Sequence, residues 1–165
     1  MARTAPTPSQ TVGPFFGFAL PFAGDSDAIA SRKGELRIEG QVLDGAGAPI
    51  PDALLELWQG EQFARCATDA EGAFHFTASK PAPMPGPDGG VQAPHFSLTV
   101  FARGLLRQLQ TRIYFPDETA ANSADWVLAR VEPERRPTLI ARAEPGALRF
   151  DIRLQGEGET VFFAL

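Results

Sequence analysis

The chain has one cysteine, Cys66, so no intrachain disulfide can form. That usage fits a reducing compartment. It has only two histidines, His75 and His95, and one tyrosine, Tyr114. A mononuclear metal site needs about three or four protein ligands converging on one point, and this stock makes a self-contained site hard to assemble. Runs of basic residues are also lacking, and the net charge is −5 with a pI near 5.0. This argues against nucleic acid or an anionic membrane surface as a partner. No stretch approaches the ~20 apolar residues of a membrane helix. The N-terminus lacks a basic region followed by an apolar run, and Pro14 and Pro21 interrupt the only apolar stretch there. The sequence therefore reads as soluble and cytoplasmic. There is no Gly-rich phosphate loop after a strand and no G-x-S-x-G nucleophile elbow.

What is present is the material of one globular domain: 165 residues, of which 44% are hydrophobic. Residues 1–34 form an N-terminal arm that is rich in Pro, Gly and Phe and shows no period. Phe15, Phe16, Phe18, Leu20 and Phe22 are too apolar to face water, so the arm packs either on its own domain or on a partner subunit. Residues 35–165 read as a β-sandwich. Leu36, Ile38, Gly40 and Val42 alternate with polar residues, and Asp44 to Gly47 is a turn. Asp52 to Gln59 is a strand, Asp69 to Gly72 a turn, and Phe74 and Phe76 alternate after it. Pro81 to Gly90 is a loop. Leu109, Thr111, Ile113 and Phe115 share one strand face, and Leu148, Phe150, Ile152 and Leu154 share another. Thr160 to Phe163 closes the sheet. The one predicted helix is short, with Ser123 as N-cap and Ala124 to Val131 as its body. Short strands with turns at intervals predict an all-β, antiparallel sandwich. The segment IEGQVLDGAGAPIPDALLELWQ followed by CATDAEGAFHF is similar to transthyretin-like (prealbumin-like) modules. That likeness bears on fold and not on function.

The segment VQAPHFSLTVFARG, residues 91–104, is predicted to be a strand. Period-2 geometry places His95, Ser97, Thr99, Phe101 and Arg103 on one face. This polar stripe is an active site, part of one, or a solvated face. His95 and Ser97 have the i, i+2 spacing that suits a metal, yet only one of the pair is a ligand type. His75 sits between Phe74 and Phe76 and points away from the face those two bury. Cys66, with no histidine nearby in sequence, reads as a buried structural thiol. The charges of TRIYFPDE and of Glu134 to Pro137 read as a solvated face, with some of them available to a partner.

Four blocks carry a more specific signal: TPSQTVGPFF, IEGQVLDGAGAPIPDALLELWQ, APHFSLTVFARGLLRQLQTRIYFPDE and RFDIRLQGEGETVFF. Together they span nearly the whole chain and resemble the intradiol ring-cleaving dioxygenases. FARGLL, TRIYFPDE, ERRPTLIA and QGEGETVFF resemble, more narrowly, the α subunits of the two-subunit members that open protocatechuate. In those enzymes a homologous β subunit holds a non-haem Fe(III) with two tyrosines and two histidines. The histidines form an H-x-H pair that matches His95-Phe96-Ser97 here, so the second is absent. No tyrosine occurs in Gly60 to Ala70 or in Pro81 to Pro94, where the ligand tyrosines would fall. The resemblance implies that this chain binds no metal and that Fe(III) belongs to a partner β subunit in a hetero-oligomer of α–β units.

It implies further that protocatechuate and O2 react at the subunit boundary to give 3-carboxy-cis,cis-muconate, and that this chain is inactive alone. Thr11, Gly13 and Pro14 of the arm, together with Arg103, would line the substrate pocket. Arginine stays charged and can hold a carboxylate bidentately, glycine allows close backbone approach, and Pro14 stiffens the arm. Arg103 would lie ~26 Å from His95 on an extended strand, so it would serve the neighbouring chain's site. Other readings stay open. Arg103 is a surface arginine or an interfacial ion pair, Thr11 is a turn residue, and the chain is a transthyretin-like binding module or a purely structural subunit.

Overall fold

The computed structural model describes residues 8, 10, 11, 13, 15–28, 35–86 and 89–164. Its strands, in chain order, are β1 (Glu35–Leu43), β2 (Leu54–Gln59), β3 (Gln62–Ala67), β4 (Ala73–Ser79), β5 (Met84–Pro85) and β6 (Val91–Gln92). There follow β7 (His95–Phe101), β8 (Leu109–Tyr114), β9 (Arg142–Glu144), β10 (Ala147–Arg149) and β11 (Ile152–Arg153). Two helices are short: α1 (Phe16–Ala19) and α2 (Thr119–Ala124). No helix among the described residues is long and apolar enough to cross a membrane.

Nine of the strands form two facing sheets, and β5 and β6 pair as a separate two-stranded ribbon. In the first, β4 pairs antiparallel with one edge of β1, β10 and β11 lie parallel along the other edge, and β9 flanks β10. The second is antiparallel in the order β3-β2-β7-β8. Alternation puts Ile38, Val42, Phe74 and Phe76 of the first sheet against Leu55, Leu57, Phe96, Leu98 and Val100 of the second. All are at most 3% exposed, so this is the main core. Cys66 is buried in it, and burial above all raises its thiol pKa. The predicted turns follow side-chain chemistry. Asp44 Oδ1 accepts the amides of Ala46 and Ala48, and Asp69 Oδ1 accepts those of Glu71 and Ala73.

The face Leu148–Leu154 was predicted as one strand. It is two, broken at Phe150 and Asp151. Phe150 N still donates to Glu39 O at 2.8 Å, while the Asp151 carboxylate takes the Gln41 amide at 3.1 Å. Gly40 makes the close approach possible. A Cβ there would overlap the Phe150 carbonyl, with its carbon at 2.6 Å.

Part of the arm's described length lies against the sandwich. Thr77 N donates to Ser26 O, Ala28 N donates to Thr77 O, and Arg65 N donates to Asp25 O. Residues 25–28 therefore occupy the gap between β4 and β3, the exposed edges of the two sheets. Phe16 is 8% exposed and packs on Phe101 with ring centroids 6.5 Å apart. Phe15 and Phe18 are 75% and 84% exposed.

The predicted helix Ala124–Val131 is not formed. α2 lies earlier, and Ser123 is inside it, donating to Thr119 O at 2.8 Å instead of capping. Asp125 ends α2 and starts a turn leading into a 3₁₀ segment at Leu128–Arg130. Its Oδ1 accepts the amides of Val127 and Leu128 at 2.8 and 3.0 Å. The Ser123 hydroxyl is spent on the Thr119 carbonyl, whereas Asp125 takes two backbone amides, so the turn starts at Asp125.

Candidate functional site

β7 runs from His95 to Phe101, so it begins four residues later and ends three residues earlier than the strand predicted over residues 91–104. Val91 and Gln92 pair with the separate β5 instead. Arg103 follows in a turn with Gly104, whose φ is +83°. The face bearing His95, Ser97, Thr99 and Phe101 is the outer face of the second sheet, turned away from the core of Phe96, Leu98 and Val100. It is not solvated along its length. Ala93, Tyr114, Leu128, Val131, Leu139 and Val161 form a second apolar cluster over its His95 end. His95 and Thr99 are 2% and 8% exposed.

The donors around His95 do not fit a ferric ion of the family's type. His95 Nδ1 lies 2.8 Å from Ala93 O. A carbonyl only accepts, so Nδ1 carries the proton. Burial lowers the ring's pKa. Its cross-strand neighbour is Tyr114, with ring centroids 5.4 Å apart. That phenol donates to Asp125 Oδ1 at 3.2 Å and accepts from Arg112 at 3.1 Å. Burial drives its pKa up, away from the phenolate a ferric ion requires. Ser97, two residues on along the same face, is not a residue type that would complete such a site. Its cross-strand partner Arg112 brings a guanidinium to the same face. Among the described residues no three His, Cys, Asp or Glu side chains cluster as a metal site would.

Sequence reading missed Asp125. It is fully buried and bonded to Ala93 N and the Tyr114 hydroxyl besides its own turn. It ties the loop before β7 to β8 and to the covering segment. The available signal was an aspartate at a helix start.

Beyond the other end of this face lies Arg103. Arg103 Nε donates to Asp52 Oδ2, a partner that sequence reading also missed. The Arg103 side chain is 66% exposed and that of Asp52 29%. The terminal guanidinium nitrogens of Arg103 bond to no described residue, so the outer edge of the fork is open to an anion. Arg103, Asp52 and Thr68 line a pocket of about 410 Å³ with Phe16 and Phe18 of the arm. The structure thus brings Arg103 beside the arm, through α1. Thr11 is exposed and Gly13 half-buried, neither among the described lining residues. Gly13 N donates to Thr11 Oγ1 at 3.4 Å, in a turn with Gly13 at φ +69°. Pro14 lies outside the described residues.

No family model matches the chain. The chain is 38% identical to the protocatechuate 3,4-dioxygenase alpha chain of Burkholderia cepacia over 197 aligned residues, covering 99% of each. It is 40% identical to the alpha chain of the same name from Pseudomonas putida over 191 residues, covering 95% of each. The hydroxyquinol 1,2-dioxygenase structure from Pseudomonas putida DLL-E4 superposes with a TM-score of 0.64 at 20% identity, covering 92% of this chain and 68% of that one. The last comparison bears on fold alone and agrees with the sandwich. The full-length likeness leaves a transthyretin-like module outside this family without support. The chain belongs to the family of protocatechuate 3,4-dioxygenase alpha chains, among the intradiol ring-cleaving dioxygenases.

Proposed function

We propose that this chain is the metal-free subunit of an α–β protocatechuate 3,4-dioxygenase and completes the substrate pocket of its β partner. The observation that carries this reading is the identity of 38–40% to alpha chains over nearly the full length. The donor set around His95 agrees with it: one histidine, a serine and a guanidinium. No step of the reaction passes through a metal held by this chain. Fe(III) on the β partner would supply the oxygen chemistry, opening the ring between its hydroxyl-bearing carbons so that both atoms of O2 would enter the product, 3-carboxy-cis,cis-muconate.

The residues of this chain bind and orient. Protocatechuate carries a carboxylate on the ring. Asp52 holds the Arg103 guanidinium by Nε, leaving the terminal nitrogens to meet that carboxylate. Gly13 lets the arm backbone approach the ring closely, Pro14 stiffens the approach, and Thr11 holds the turn. The exposed Phe15, Phe18 and Phe22 are the surface a β subunit would cover. The assembly is soluble and cytoplasmic, with the arm (1–34) as its joint and the sandwich (35–165) as its body.

The test is reconstitution with a β-type chain that has H-x-H and two tyrosines, followed by O2 uptake with protocatechuate. Activity is expected only from the mixture, with 3-carboxy-cis,cis-muconate as product. Full activity of the β-type chain without this subunit would overturn the proposal.

A further inference from the structure

A pocket lies over the His95 end of the second sheet's outer face. Its volume is about 480 Å³, within the range of ~300–1,000 Å³ typical of small-molecule sites. Trp126, Val131, Val161 and Phe163 make its walls apolar, and Ser97 and Arg112 form part of its polar lining. Arg112 is half-buried, and its Nη1 donates to Gln92 Oε1 at 2.8 Å and to the Tyr114 hydroxyl at 3.1 Å. Both partners are neutral, and Arg112 forms no salt bridge with a described carboxylate. Its guanidinium also lies over the Phe163 ring, 6.0 Å from the centroid. Two further arginines border the same space. Arg130 stacks on Trp126 at 4.2 Å, and Arg135 is paired with Glu159 at 3.3 Å. Glu132 is the one acidic lining residue, and it is exposed. The Asp125 carboxylate stands behind the Tyr114 hydroxyl and makes no direct contact with Arg112. An apolar pocket whose inner cation is paired only through a neutral relay is complementary to a ligand with one anionic group and an apolar body.

We infer that this pocket binds a small monocarboxylate with a ring-sized apolar body, its carboxylate on Arg112 and its ring between Trp126, Val131 and Phe163. The inference rests on this chain's own residues and needs neither iron nor a partner. A planar carboxylate suits the guanidinium fork, and the apolar walls exclude the water that would screen it.

Benzoate is the probe. The full-length chain carrying Trp58→Phe keeps Trp126 as its only tryptophan, so its fluorescence reports the pocket. Benzoate is expected to change that fluorescence saturably at one site per chain, with a dissociation constant on the order of 1 mM or below. Arg112→Gln should weaken binding ~10-fold or more, because a charge-assisted bond is lost. Benzamide, of the same shape but neutral, should bind at least ~10-fold more weakly than benzoate. Should Arg112→Gln fail to fold, Val131→Phe, which fills the pocket, should abolish the benzoate response. No saturable response, equal affinity for benzamide, or benzoate binding unmoved by both variants would each overturn the inference.

Discussion

Replacing Arg103 by alanine separates a structural role from a pocket role by magnitude. Among the described residues Arg103 makes one ion pair, with Asp52, and its side chain is 66% exposed. Solvent-exposed pairs contribute ~0–1 kcal/mol, so Arg103→Ala should barely change the melting temperature or the assembly. In the proposed complex the same guanidinium meets the carboxylate of protocatechuate, away from bulk water. A charge-assisted hydrogen bond there is worth ~1.5–3 kcal/mol, and each ~1.4 kcal/mol is tenfold in binding. The assembled variant should therefore lose roughly 10- to 150-fold in kcat/KM for protocatechuate, with iron content unchanged. Catechol has no carboxylate and does not use the contact, so its turnover, poor already, should not fall further. Asp52→Ala, which frees the guanidinium to swing, should fall between wild type and Arg103→Ala. The assay is kcat/KM for both substrates on the same assembled preparation. An equal loss for protocatechuate and catechol would refute the reasoning and return Arg103 to a structural or interfacial role.

Three perturbations test the scaffold. Gly40→Ala drives a methyl group into the Phe150 carbonyl, a backbone atom that cannot swing aside; unfolding in denaturant should show a loss of ~3 kcal/mol or more, or no folded protein. Asp125→Ala strips bonds from the Tyr114 hydroxyl and from three backbone amides in a fully buried place, and should cost ~3 kcal/mol or more by the same measurement. His95 is held neutral by burial, its pKa lowered. The unfolded chain then binds the extra proton first, so stability should fall as pH drops below the ordinary histidine value of ~6.5 and level off once the folded pKa is passed. Melting temperatures from pH 8 to 5 should show that slope in wild type and a shallower one in His95→Asn.

The sandwich was legible because alternation is a local signal: Ile38 and Val42, or Phe74 and Phe76, announce a core face without reference to anything distant. The Asp44 and Asp69 turns were legible for the same reason. What failed depended on contacts across the fold. Leu148 to Leu154 alternates without a flaw, yet the strand breaks because Phe150 is drawn against Gly40, more than a hundred residues away. The helix was misplaced because Ser123 was weighed without Asp125, whose capping role is fixed by Ala93 and Tyr114 from other elements. The stripe from His95 was polar in sequence and could have faced water. The segment that covers it, from Leu128 to Val161, joins it only in the folded chain. Arg103 was found through its block resemblance. Its orienting partner Asp52 was not, since nothing in the order of residues links the end of β7 to the start of β2.

The central claim, that this subunit completes a pocket while the iron sits on its partner, is tested most directly by metal analysis of separated chains. The assembled complex is dissociated under conditions that keep Fe(III) bound, and iron and visible absorption are measured on each chain. About one iron and the phenolate charge-transfer colour are expected on the β partner for each site, and neither on this chain. Stoichiometric iron with that colour on this chain, purified alone, would contradict the claim.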